Sequence, residues 1–153
     1  MSGLDYSTQL WDSNSVLELR TVDWRLACII TAAAKAFLLE RRKQEPVLAH
    51  KVRVTQGYRS PDQQADMVKH GASNTMRSHH LIGMAVDLAY IRAGKARWEL
   101  HWYEKLDHHV QKAVLSFGLD ANDVVWGGRW TTLRDGVHWQ LMLPPLPGWY
   151  AVN

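Results

Sequence analysis

The sequence predicts an α+β fold, a single small domain in which a short antiparallel sheet is flanked by helices. Three observations carry this expectation. Residues 22 to 42 and 99 to 117 repeat apolar positions with helical period, residues 84 to 90 alternate with the period of two that a strand imposes, and 153 residues suit one domain. At 46% hydrophobic residues the chain can bury a core, and residues 1–153 read as one unit whose core runs from about 20 to 143.

In the first long helix Leu26, Ile29, Ala33 and Phe37 share a face, and Thr21 offers an N-cap. Lys51 to Gln56 reads as a short strand. Ser60-Pro61-Asp62-Gln63 then places Ser at an N-cap, Pro at N1 and Gln at N3, which together satisfy the first free amides of a helix expected to stop at Gly71. Arg59, just before that cap, falls at a strand-to-helix junction, where a rigid frame can aim it into a cleft. Gly83 permits a turn before strand 84–90, in which Met84, Val86 and Leu88 face one way and Ala85, Asp87 and Ala89 the other. The helix over 99–117 carries Tyr103, Leu106, Val110, Ala113, Val114 and Phe117 on one stripe and ends at Gly118. Asp123 to Trp126 and Val137 to Leu143 read as strands flanking the loop Gly127 to Gly136, and Pro144 to Trp149 as an irregular strap.

Composition narrows the function classes. The net charge of +3 and the pI near 9.1 come from dispersed basic residues without a nucleic-acid motif, so no nucleic-acid partner is expected. Mild attraction to an anionic polymer is compatible with the same charge. There is no apolar run of about eighteen residues, and Met1-Ser2-Gly3-Leu4-Asp5 lacks the basic-then-apolar layout of a secretory signal. The single cysteine, Cys28, excludes an intramolecular disulfide and reads as a buried structural thiol. Most of the eight tryptophans are expected in the core, with Trp130 and Trp139 the ones placed to line a groove. Gly127-Gly128 reads as a close backbone approach to a substrate or a tight turn.

The densest chemistry lies in Ser78-His79-His80-Leu81-Ile82-Gly83-Met84-Ala85-Val86-Asp87 and, some fifty residues on, Asp135-Gly136-Val137-His138. Two imidazoles and a carboxylate, His80, Asp87 and His138, are three ligands suited to Zn2+, and a three-ligand site leaves a fourth position for water. Asp135 lies three residues before His138, where a short turn can hold it beside that water as a general base. The six residues between His80 and Asp87 are too many for a His-Glu-x-x-His helix or for the close pair of a non-haem iron site. His101, His108 and His109 ride on one helix without ligand spacing and read as solvated or packed side chains.

Ser-x-His-x-x-Gly-x-Ala-x-Asp, here Ser78 to Asp87, resembles the signature of the zinc peptidases that include D-alanyl-D-alanine carboxypeptidases and phage L-alanyl-D-glutamate endolysins. Gly57-Tyr58-Arg59-Ser60 through Gln64 resembles the block before it. Gly71 to Ser78, Trp126-Gly127-Gly128-Arg129-Trp130 and Asp135-x-x-His138-Trp139-Gln140 resemble the endolysin branch. The resemblance implies a hedgehog/D-Ala-D-Ala peptidase-like fold. It also implies zinc on His80, Asp87 and His138, Asp135 as base, and Arg59 either stabilising the developing oxyanion or gripping a substrate carboxylate. Ser78, Gln64, Trp130 and Trp139 are the expected substrate contacts. Three positions depart from the pattern: Met84 where His is frequent, Arg129 where Asp is common and Trp139 where Phe is usual. None is a proposed ligand, and they bear on the groove.

The function implied is hydrolysis of the L-alanyl-D-glutamate bond of peptidoglycan stem peptides, leading to wall lysis. Two alternatives stay open: a D-alanyl-D-alanine carboxypeptidase, and a catalytically inactive relative that binds cell wall. The expected setting is a monomer made in the host cytoplasm without a signal peptide or stable membrane association. It would act on periplasmic peptidoglycan once the inner membrane is permeabilised.

Overall fold

The structure, a computed structural model, describes residues 10–73 and 75–146. Helix α1 (Ser13–Leu19) is followed by α2 (Trp24–Gln44), strand β1 (His50–Gln56), α3 (Pro61–Lys69), β2 (Ala85–Arg92), β3 (Lys95–Arg97), α4 (Leu100–Ser116), β4 (Val124–Trp126) and β5 (His138–Leu141). The sheet runs β1-β2-β5-β4, all antiparallel, with β3 pairing β2 beyond the end of β5. The expected α+β architecture is therefore present, and β2 is its central strand.

Alternation sets the two faces of β2, though Ala85 and Ala89 on the Asp87 face are buried as well. Met84, Val86, Leu88 and Tyr90 enter the hydrophobic core beside α2 and α4, and Asp87 lies on the opposite face. Helix α2 buries Leu26, Ile29, Ile30, Phe37 and Leu38. Five such side chains, each contributing roughly 1.5–3 kcal/mol, anchor the helix without help from any ion. Helix α4 contributes Tyr103, Leu106, Val110 and Val114, while Phe117 lies at its C-cap and only edges onto Trp24.

The capping box of α3 is complete: the Ser60 hydroxyl accepts from the Gln63 amide at 3.1 Å and the Gln63 side chain accepts from the Ser60 amide at 3.0 Å. Gly71 and Gly118 follow their helices with φ of 75° and 90°, a conformation side chains with a Cβ resist. Thr21, however, does not cap α2. Asp23 does so at 2.9 Å to the Arg25 amide, because the Thr21 hydroxyl donates to the Glu18 carbonyl and accepts from the Tyr58 amide. Helix α1 and strand β3 were not expected from the sequence.

The tryptophan expectation is corrected. Trp11, Trp126 and Trp139 are buried, Trp102 and Trp130 are half-buried, and Trp24 and Trp98 are exposed. Cys28 is half-buried in the groove between α2 and α4 rather than sealed in the core, and burial raises its thiol pKa. Of the C-terminal strap, Pro144 accepts a hydrogen bond from Arg25 at 3.0 Å; residues 147–153, Trp149 among them, lie outside the described residues. No described helix is long and apolar enough to cross a membrane.

Candidate metal centre

Two adjacent strands and one turn bring the ligand candidates together. Asp87 and His138 are direct partners in the β2–β5 register, so their side chains leave the same face of the sheet side by side. His80 arrives on a 3-10 turn, His79–Ile82, whose start is capped by the Ser78 hydroxyl at 3.2 Å from the His80 amide. Gly83 ends that turn at φ 66°, allowing the chain to reverse into β2. The three ligand atoms lie within 4.8 Å of one another, close enough to share one ion.

The orientation of both rings fits a metal. His80 Nδ1 lies 2.7 Å from the Gly57 carbonyl, which can only accept, so Nδ1 carries the proton and Nε2 faces Asp87 at 3.1 Å. His138 is held the opposite way round: Nε2 donates to Gln140 Oε1 at 2.8 Å and Nδ1 faces the same Asp87 oxygen at 3.1 Å. Each inward nitrogen thus offers a lone pair, as a metal-binding imidazole with an anchored distal N–H does. Burial opposes charge on Asp87, yet the two imidazoles hold its carboxyl well below the ordinary carboxylate range. An anion and two inward nitrogens this close demand positive charge between them, either protons on the rings or a shared cation.

A cleft of about 640 Å³ opens over this trio. Asp135 lines it, its backbone amide donating to the Gly127 carbonyl at 3.0 Å. Burial raises the Asp135 pKa, and the negative charge of Asp87 raises it further, a direction that suits a proton acceptor working near neutrality. Gly127 is required for this loop, since a Cβ there would sit 2.4 Å from the Asp135 carbonyl oxygen. At Gly128 a Cβ would meet the Trp126 ring at 2.1 Å. The glycine pair therefore admits neighbouring parts of the chain, not substrate.

Arg59 is buried at the base of the cleft. Its amide donates to the His80 carbonyl at 3.0 Å, one guanidinium nitrogen donates to Gln64 Oε1 at 2.7 Å, and another lies 3.8 Å from Asp87. Burial pulls its pKa down, while Asp87 and Asp135 act against that. Gln64 is fully buried, with its amide donating to Ser73 Oγ and the Thr75 carbonyl, so it braces Arg59 against the cleft wall instead of contacting substrate as expected. Trp139 is likewise removed from the groove: its ring stacks on Trp126 and its N–H donates to buried Asp107 at 3.0 Å. Trp130 and Ser78 do line the cleft, Trp130 with its ring 5.3 Å from that of His138. Arg129 pairs with Asp107 on α4 and does not line the cleft.

Sequence reasoning gave no role to Gln140 or to the Gly57 carbonyl. Gln140 was detectable in principle, being two residues from His138 on a strand and hence on the same face. A backbone carbonyl leaves no residue-type signal. Arg77 and Arg134, which also line the cleft, were not singled out either.

Residues 39–138 match the family model described as phage L-alanyl-D-glutamate peptidase. A protein of Listeria phage A118 described as L-alanyl-D-glutamate peptidase is 34% identical over 110 residues, covering 72% of this chain but only 36% of that relative. The crystal structure of Serratia marcescens L-Ala D-Glu endopeptidase ChiX superposes with a TM-score of 0.71 at 33% identity, over 91% of this chain and 96% of that one. Matched in sequence over residues 39–138, which include His80, Asp87 and His138, and in fold across nearly its whole length, this chain belongs to the phage L-alanyl-D-glutamate peptidase family.

Proposed function

We propose that this chain is a zinc-dependent endopeptidase that hydrolyses the L-alanyl-D-glutamate bond of peptidoglycan stem peptides. The observation that carries the reading is the convergence of His80, Asp87 and His138, with both distal ring nitrogens anchored, beneath a cleft lined by Asp135. Two nitrogens and one carboxylate oxygen form a donor set that suits zinc and leaves a coordination position open. A zinc ion held there would supply Lewis-acid chemistry, acidifying a water and polarising the scissile carbonyl.

The chain's own groups do the rest. Asp135 takes the proton of the attacking water and returns it to the departing amine, the nitrogen of D-glutamate. Arg59, fixed by Gln64 and by its own backbone bond to His80, presents a permanently charged guanidinium where negative charge develops on the former carbonyl oxygen. Ser78 holds the His80 turn in place and, with Trp130, shapes the wall. As a monomeric phage lysis enzyme made in the host cytoplasm, the protein would reach peptidoglycan once the inner membrane is permeabilised.

Digestion of purified sacculi, followed by mass spectrometry of the new amino termini, tests the reading. New D-glutamate amino termini are expected. Release of free D-alanine alone, with the stem peptides otherwise uncut, would replace it with the carboxypeptidase reading. Binding to sacculi without any cleavage would leave an inactive wall-binding relative.

A further inference from the structure

We infer that Arg77 and Arg134 form a carboxylate-binding subsite on the leaving-group side of the cleft; this rests on the proposed cleavage before a glutamate. Glutamate has two carboxyl groups, and a linear peptide runs on through only one of them. The residue released by the cut therefore carries a free carboxylate within a few bonds of the departing amine, unless that group is amidated.

The position of the amine is fixed by the group that protonates it. Asp135 returns the proton, so the glutamate lies on the Asp135 side of the cleft. Arg134 is its immediate neighbour in the chain and lines the same cleft. Arg77 lines it from the segment between α3 and the His79–Ile82 turn. Both are exposed. Among the described residues neither guanidinium has an ion pair or a side-chain hydrogen bond, whereas Arg59 is bonded to Gln64 and faces Asp87. The cleft's two carboxylates, Asp87 and Asp135, are engaged in the metal centre and the proton transfer. The positive charge left over is that of Arg77 and Arg134, and a guanidinium matches a carboxylate with two parallel hydrogen bonds.

The experiment compares Arg77→Gln, Arg134→Gln and the double variant of the full chain with Lys95→Gln, an exposed charge change on the β3 strand away from the cleft. Substrates are stem peptides with the glutamate carboxylate free or amidated. On the free acid, each arginine change is expected to lower kcat/KM by up to about fivefold and the pair by roughly tenfold or more, through KM and not kcat, the scale of solvent-exposed ion pairs. On the amide the change should stay below about twofold. Equal losses on both substrates, or no loss beyond that of Lys95→Gln, overturn the subsite. If the parent cleaves neither substrate, the proposed function fails, and calorimetry with peptides beginning in D-glutamate or its amide decides the subsite separately. Tighter binding of the acid that vanishes in the double variant supports the subsite; equal binding of the two peptides overturns it.

Discussion

Two regions of the molecule are rich in histidine, and only one brings its rings and a carboxylate close enough together to hold a metal ion. Beside the sheet, His80 on its turn and His138 on β5 come from segments nearly sixty residues apart, yet their inward nitrogens meet one carboxylate oxygen at 3.1 Å each. On α4, His101, His108 and His109 come from a single helix beside Glu40 of α2; His109 spends its Nε2 on Glu40 at 2.8 Å, while His101 and His108 are exposed. Ligand number does not separate the regions. What does is a second acceptor behind each ring, the carbonyl of Gly57 just past β1 or the side chain of Gln140 on β5, which turns the free lone pair inward.

The contrast can be broken most severely at the ligands. His80→Ala or His138→Ala should abolish both the roughly one zinc per chain expected by elemental analysis and the lytic activity. His101→Ala and His108→Ala should retain both. Metal removal by a chelator should stop lysis reversibly and leave the helical circular dichroism spectrum nearly unchanged, because α2 and α4 are anchored by apolar side chains of the hydrophobic core. Unfolding on chelation would show that the ion is structural.

Asp135→Asn comes next. It should keep zinc and lose at least about two orders of magnitude in turnover, the scale of general acid–base catalysis. Loss of zinc in this variant would make Asp135 a ligand. Gln140→Leu should weaken metal affinity by about 10- to 100-fold, the usual cost of removing a histidine's outer partner. A chelator-competition titration measures this, and unchanged affinity would deny Gln140 the orienting role.

The smallest effect is expected in the other histidine region. The hydrogen bond from His109 holds the Glu40 carboxyl below its ordinary pKa, so its contribution to stability is present above the unfolded-state value near 4.3 and fades as pH falls through the lower folded value. Glu40 is about a third exposed, which limits that contribution to below about 1 kcal/mol. Glu40→Gln should therefore shift the urea midpoint slightly at pH 7 and less as the pH is lowered; an equal shift throughout would assign the effect to packing.

How much of this was readable without coordinates follows the range of each interaction. The capping box at Ser60, the glycine stops at 71 and 118 and the α2 and α4 stripes are short-range signals and were legible. The ligand candidates that converge were legible because Asp87 stands out on a strand whose other face is apolar. Helix α1 was not, since its seven residues include only three large apolar ones and one of its buried side chains is Ser15, which accepts from the Val54 amide. The cap at Thr21 was misassigned because Tyr58, distant in sequence, occupies its hydroxyl. Gln64 and Trp139 looked like groove residues, and only tertiary partners, Arg59 and Asp107, turn them inward. Strand β3 is three residues long and follows a turn with φ of 51° at Ala93 and 78° at Gly94, too brief for periodicity to register.

The two acceptors behind the rings differ in how they are inherited. Gln140 is a side chain, so a single codon change can sever its bond to His138 and leave the fold intact. The oxygen behind His80 belongs to the main chain, and every amino acid at position 57 would still supply it. Position 57 is nonetheless confined to glycine, because a Cβ there would lie 2.4 Å from the Glu18 carbonyl oxygen. Genetic drift toward inactivity should accordingly enter through His138's support more readily than through His80's, and lineages that lose Gln140 should retain stable, poorly metallated proteins.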